Sequence, residues 1–182
     1  IMTNLVISKK NEVHLHIESD IHVYYELADY FTFEVPGAKF MPTYKSKYWD
    51  GKIRLFNIQN GLIYVGLLDK IRQFCKDHDY TYEFKKNEYY GLPFEVNPHI
   101  SREGVKDYVT SISKYKPRDY QVDGIYDALK YNRKLLISPT ASGKSLMIYG
   151  IVRYFVERSQ NTLIVVPTTS LVEQMYKDFE DY

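Results

Sequence analysis

The sequence predicts an α/β chain in which a small amino-terminal α+β domain precedes an incomplete parallel β-α-β domain. Three observations lead there. Tyrosine and charge dominate up to about Pro98, in short segments punctuated by Pro36-Gly37, Asp50-Gly51 and Asn60-Gly61. From Pro117 onward the apolar pattern lengthens into helix, strand, helix, strand, helix. Between the two, residues 87–101 carry Gly91, Pro93 and Pro98 with no sustained periodicity, which suits a linker.

In the first part, VHLHI (13–17) alternates apolar and polar residues as a half-buried strand does. Asp20 can cap a helix whose apolar face runs through Ile21, Tyr24, Leu27, Ala28 and Phe31. FEV and AKF around Pro36-Gly37, then KIRLFNI and LIYVG, read as strands. Asp-Gly and Asn-Gly tolerate the positive φ of tight turns, so a hairpin-rich sheet is expected. LLDKIRQFCKDH (67–78) predicts a second helix with Leu67, Leu68, Ile71, Phe74 and Cys75 inward, and TYEFK a last strand. The boundaries fall at residues 1–98 for the α+β domain, 99–116 for a linker helix region and 117–182 for the second domain.

In the second part, a short helix over 101–113 leads to PRDYQVDGIYDALK, which has proline early in a helix and its apolar face on Tyr120, Ile125, Ala128 and Leu129. KLLIS (134–138) and TLIVVP (162–167) are continuous apolar runs, as buried parallel strands are. KSLMIYGIVRYFVER and SLVEQMYKDFEDY supply the helices between and after them. Two parallel strands do not make a stable sheet, so an incomplete domain is expected.

With 182 residues and 45% apolar content the chain can bury a real core. Its formal charge of +1 excludes a uniformly basic nucleic-acid coat and sends the search to local patches. The single cysteine, Cys75, excludes an internal disulfide and fits a reducing compartment. No run approaches the roughly 18 apolar residues of a membrane span, and no signal-peptide pattern opens the chain, so a cytoplasmic monomer is expected. His14 and His16 share a strand face with no third ligand at suggestive spacing, so no metal site is read there.

The chemistry concentrates in SPTASGKS (138–145), set between an apolar run and a helix. A tight loop entering a helix N-terminus aims backbone N–H groups at a polyphosphate. Thr140, Ala141, Ser142 and Gly143 would offer those donors, Lys144 would reach the β- and γ-phosphates of ATP, and Ser145 would hold Mg²⁺. Gln121 has an amide donor and acceptor that match the adenine edge, and Arg118 is counted with it in the nucleotide site. VVPTTSLVEQ (165–174) follows the next apolar run; Thr168, Thr169, Ser170 and Gln174 are positioned to hold a nucleic-acid phosphate. In the first domain YKSKYWDGKIRLF interleaves Lys45, Lys47, Lys52 and Arg54 with Tyr44, Tyr48 and Trp49, so cations can meet phosphates while rings stack on unpaired bases.

YQ, PTASGKS and VVPTTSLVEQ together resemble the adenine-recognition motif, motif I and motif Ia of superfamily 2 helicases and translocases. That resemblance implies a RecA-like P-loop motor domain. The usual loop there is PTGSGKS or PTGSGKT, so Ala141 stands in a glycine's place and a negative φ is expected of it. FTFEVPGAKFMPTYKSKYWDGKIRLFN and GLIYVGLLDKIRQFC resemble the N-terminal domain of the phage UvsW recombination helicases. The family implies a DNA helicase that remodels branched or forked DNA, single strands and RNA–DNA hybrids included, within the bacterial host cytoplasm. It also implies that the acidic motif and the arginine needed for hydrolysis lie outside these residues. The chain alone is therefore expected to bind ATP with negligible turnover. Two alternatives stand beside this: the motor subunit of a restriction enzyme, or a DNA-binding module without catalysis.

Overall fold

The computed structural model describes residues 3–182, which divide into two compact units, one on either side of the Glu95–Val96 bond. The first unit is built on strands β1 (Leu5–Lys9) and β2 (His14–Ser19), helix α1 (Ile21–Tyr30) and strand β3 (Thr32–Glu34). A short helix α2 (Pro42–Lys45) precedes β4 (Lys52–Arg54), β5 (Phe56–Asn57), β6 (Leu62–Tyr64), helix α3 (Leu68–Asp77) and β7 (Tyr82–Lys85). Five strands pair in the order β5-β6-β2-β1-β7, antiparallel except for the parallel β1–β7 pair. Alternation along β1 and β2 sends Leu5, Ile7, Leu15 and Ile17 to one face, where α1 and α3 cover them with Val23, Leu27, Ile71 and Phe74. Burial of the Cys75 thiol in this core pushes its pKa up to about 11, which keeps it protonated and unreactive.

Several elements differ from expectation. On α1 Val23 is buried, whereas Ile21 is exposed; Leu27 and Phe31 are buried as expected, with Tyr24 and Ala28 packed partly buried against the same core. AKF is a turn of 3-10 helix and not a strand. Asp50-Gly51 does not close a tight hairpin: β3 and β4 pair Phe33 with Ile53, and residues 35–51 form a compact excursion whose ends meet where Val35 N–H donates to Gly51 O at 2.8 Å. Asn60-Gly61 does serve as a turn. Gly61 has φ +66°, and a Cβ there would lie 2.5 Å from Ile17 O.

The second unit packs α4 (Arg102–Ile112), α5 (Asp119–Tyr131) and α6 (Lys144–Val156) around Val105, Val109, Val122, Ile125, Leu129 and Met147, with α7 (Thr169–Asp181) against α6. Ser101 caps α4 by accepting from Gly104 N–H at 3.1 Å. Helix α5 starts at Asp119, so Pro117 lies outside it, and its buried stripe is Gln121, Val122, Ile125 and Leu129; Tyr120 stays partly exposed. At the far end of α5, Lys130 O accepts from Asn97 N–H at 2.9 Å and Lys130 Nζ donates to Ile100 O at 3.1 Å. Neither KLLIS nor TLIVVP is a strand. An extended segment gains ladder hydrogen bonds only from a neighbour, and neither segment has one among the described residues. Leu135 and Ile137, at 82% and 91% exposure, and Leu163 and Val165, at 86% and 82%, stand in solvent as a result.

Candidate functional site

Helix α5 grips the loop 138–143 from below. Gln121 Nε2 donates to Ser142 O at 3.0 Å and Gly143 O at 3.3 Å, and its Oε1 accepts from Arg118 N–H at 2.9 Å, half of a capping box. Tyr120 OH donates to the same Ser142 carbonyl at 2.8 Å, and Arg118 Nη1 donates to Tyr120 OH at 3.3 Å. Gln121 is 5% exposed, and its amide is taken up by the two loop carbonyls on one side and the Arg118 N–H on the other. Gly143 is required twice over. Its φ is +74°, and a Cβ would sit 2.3 Å from Gln121 Nε2. The negative φ expected at Ala141 is not found. Ala141 adopts φ +62°, a left-handed conformation that favours glycine, at a cost of roughly 1–2 kcal/mol.

Of the loop's amides, Ser142 N–H, expected as a phosphate donor, is bonded within the loop to Pro139 O at 3.4 Å. The N–H groups of Ala141, Gly143, Lys144 and Ser145 have no acceptor among the described residues. Lys144 Nζ donates to the loop's own carbonyls, Ser138 O at 2.9 Å and Pro139 O at 3.1 Å, and the Ser138 and Ser142 hydroxyls bond each other. Ser145 Oγ meets Tyr182 OH at 2.5 Å. Free amides, an ammonium and a hydroxyl at the mouth of one helix fit a polyphosphate with its magnesium ion. A cavity of about 530 Å³ lies alongside, lined in part by Arg118, Tyr120, Thr140, Ala141 and Met147.

One role has no signal in the sequence. Periodicity puts Tyr120 on an apolar face, whereas its hydroxyl holds the loop; adjacent helix residues diverge by about 100°, so helical spacing does not pair it with Gln121. At the start of α7, Thr168 is the cap, accepting from Leu171 N–H at 3.4 Å, while Thr169, Ser170 and Gln174 are exposed along the first turns.

In the first unit Lys45 and Lys47 lie on the excursion and Lys52 and Arg54 on β4, all exposed. Trp49 is half-buried and pinned by Nε1–H donation to Lys52 O at 2.9 Å. Tyr48, beside it, is 91% exposed and is the ring most open to stacking. The Arg54 guanidinium bonds both Asp50 oxygens; with help from Lys52 N–H it draws that carboxyl from 3.8 down to about 2. Arg54 is thus partly neutralised, and the free charges of the patch are the lysines. Elsewhere on the sheet His14 stacks on Tyr64, and His16 Nδ1 lies 3.6 Å from Glu18.

Residues 5–85 match the family described as DNA helicase UvsW, N-terminal, and residues 114–182 match the type III restriction enzyme res subunit family. Over 176 residues the chain is 32% identical to the ATP-dependent DNA helicase UvsW of Enterobacteria phage T4. The chain is similar to UvsW in both of its units. The alignment takes in 93% of it and 34% of the phage protein, so it spans about one third of that relative's length. A crystal structure of the UvsW helicase from bacteriophage T4 superposes with a TM-score of 0.82 at 30% identity, covering 99% of this chain and 64% of that one. A second crystal structure of T4 UvsW gives 0.83 at 30% identity, covering 99% and 36%. The likeness takes in both units, an α+β amino-terminal domain and part of a RecA-like domain.

Proposed function

We propose that this chain is the amino-terminal portion of a phage-type, ATP-dependent DNA helicase or translocase that acts on branched DNA, such as recombination and fork intermediates and RNA–DNA loops, in the host cytoplasm. The observation that carries the proposal is the loop 138–143, held by Tyr120 and Gln121 with the Ala141 and Gly143 amides unpaired among the described residues, in a chain 32% identical to a phage DNA helicase. When bound, ATP with Mg²⁺ supplies the phosphoanhydride whose hydrolysis drives movement. On the protein side, Lys144, now bonded to the Ser138 and Pro139 carbonyls, would hold the phosphates, and Ser145, now bonded to Tyr182, would hold the metal. Arg118 and Tyr120 line the cavity beside the loop, and Gln121 acts by fixing the loop's shape.

For DNA, Thr168, Thr169, Ser170 and Gln174 open α7 as phosphate ligands, while Lys45, Lys47 and Lys52 neutralise backbone charge around Trp49, Tyr48 and Arg54. The match of residues 114–182 to a restriction-enzyme motor supports the second reading, a restriction-type translocase. The match of residues 5–85 to the UvsW amino-terminal family favours the first.

Equilibrium titration with a fluorescent ATP analogue tests the nucleotide site. The 182-residue chain is expected to bind weakly with negligible turnover, and Lys144→Ala to abolish binding. DNA-stimulated hydrolysis by this chain alone, lost in Lys144→Ala, would overturn the expected dependence on residues outside it.

A further inference from the structure

Two Lys-Lys pairs, Lys9-Lys10 and Lys85-Lys86, lie far apart in the sequence, and the fold sets them side by side. The cause is the parallel pairing of β1 with β7, in which Ser8 is the partner of Lys85, so both strands end together. On the other side of β1, Ser8 is the partner of His16. The neighbouring row, Ile17–Ile7–Phe84, belongs to the core, so His16, Ser8 and Lys85 form a row on the opposite face. Strands about 4.8 Å apart make that row about 10 Å wide.

These residues line a shallow depression of about 250 Å³ with Lys9, Lys10, Lys86 and Asn87, and no apolar side chain takes part. Two carboxylates bear on it: Glu12 pairs with Lys9 at 2.8 Å, and Glu18 lies 3.6 Å from His16. Lys10, Lys85 and Lys86 are exposed and have no partner among the described residues. The next row on the same face carries Glu18 and Glu83 about Val6, which confines the positive charge to the strand ends.

We propose that this depression is a phosphodiester-binding site for the DNA backbone, separate in sequence from the patch at residues 45–54. An anionic ligand follows from three uncompensated ammonium groups, and a backbone rather than an acidic peptide follows from the absence of apolar lining, because peptide docking buries apolar side chains. Ser8 and Asn87 supply the neutral polar contacts that phosphate oxygens accept. The site rests on the reading of the chain as a DNA-handling protein and deepens it.

The test uses the whole 182-residue chain and a labelled DNA duplex, with anisotropy measured over a range of salt. The variant Lys10→Ala/Lys85→Ala/Lys86→Ala is expected to bind at least tenfold more weakly at low salt. Its slope of log affinity against log salt should shrink by about 2–3, at about 0.9 for each phosphate no longer neutralised. Lys70→Ala/Lys76→Ala/Lys106→Ala removes equal charge elsewhere and should leave the slope unchanged. An unchanged slope in the first variant, with wild-type binding intact, overturns the site and leaves the DNA reading standing. Equal loss in both variants assigns the effect to net charge and also overturns it, as would binding of a polyglutamate peptide with the same dependence on these three lysines. A wild-type chain that binds no DNA at all would overturn the DNA reading itself.

Discussion

Gln121 shows how one buried amide can decide the shape of a loop. Its donors reach two carbonyls and its acceptor closes the first turn of α5, so truncation leaves Gly143 O and Arg118 N–H short of a partner. Gln121→Ala should therefore cost about 1–2 kcal/mol in urea unfolding. Tyr120 still holds Ser142 O, so the fold survives. Because Gln121 acts through the loop, affinity for ATP and for GTP should fall together in competition titrations. Loss of ATP affinity alone would show instead that it reads the base. The loop was legible as PTASGKS and Gln121 as a residue of its site, whereas the part Tyr120 plays was not. Nor was the left-handed turn at Ala141, because a backbone conformation imposed by the loop leaves no trace in side-chain pattern.

At the level of elements, the excursion between β3 and β4 is held by a pair whose titration is specific. The Asp50 carboxyl is depressed, so its stabilising contribution is complete above the ordinary value of 3.8 and is lost as pH falls through about 2. An NMR titration of the Asp50 carboxyl should give a midpoint near 2, and Arg54→Ala should return it toward 3.8. A midpoint unchanged by that substitution would remove Arg54 as the cause. Helices α3 and α4 and the strand 13–17 were legible because a single buried face repeats at the right period. AKF and Asp50-Gly51 misled because aromatic content and a turn dipeptide do not say which strands a turn connects. The parallel β1–β7 pair was not legible at all, since long-range register has no local signature.

Across the whole molecule, both apolar runs read as buried strands, and both are solvent-facing. Unpaired backbone beside Leu135, Ile137, Leu163 and Val165 is a template for pairing with another chain. Ile137→Lys/Val165→Lys should reduce self-association in sedimentation velocity at tens of micromolar. Stability should change by only about 0.5 kcal/mol, because neither side chain contributes to the core. Undiminished association would place the sticky surface elsewhere. No helix among the described residues is long and apolar enough to cross a membrane.

Helix α5 bears on two places far apart in the sequence. Its first turn clasps the loop through Tyr120 and Gln121, and its last turn is bonded to Asn97 and Ile100. At 13 residues it is a strut about 20 Å long. Hydrogen bonds at its two ends thus hold the loop and residues 97–100 to one element. Those residues stand at the very start of the second unit, which begins at Val96, so the helix that clasps the loop also anchors the first residues of that unit.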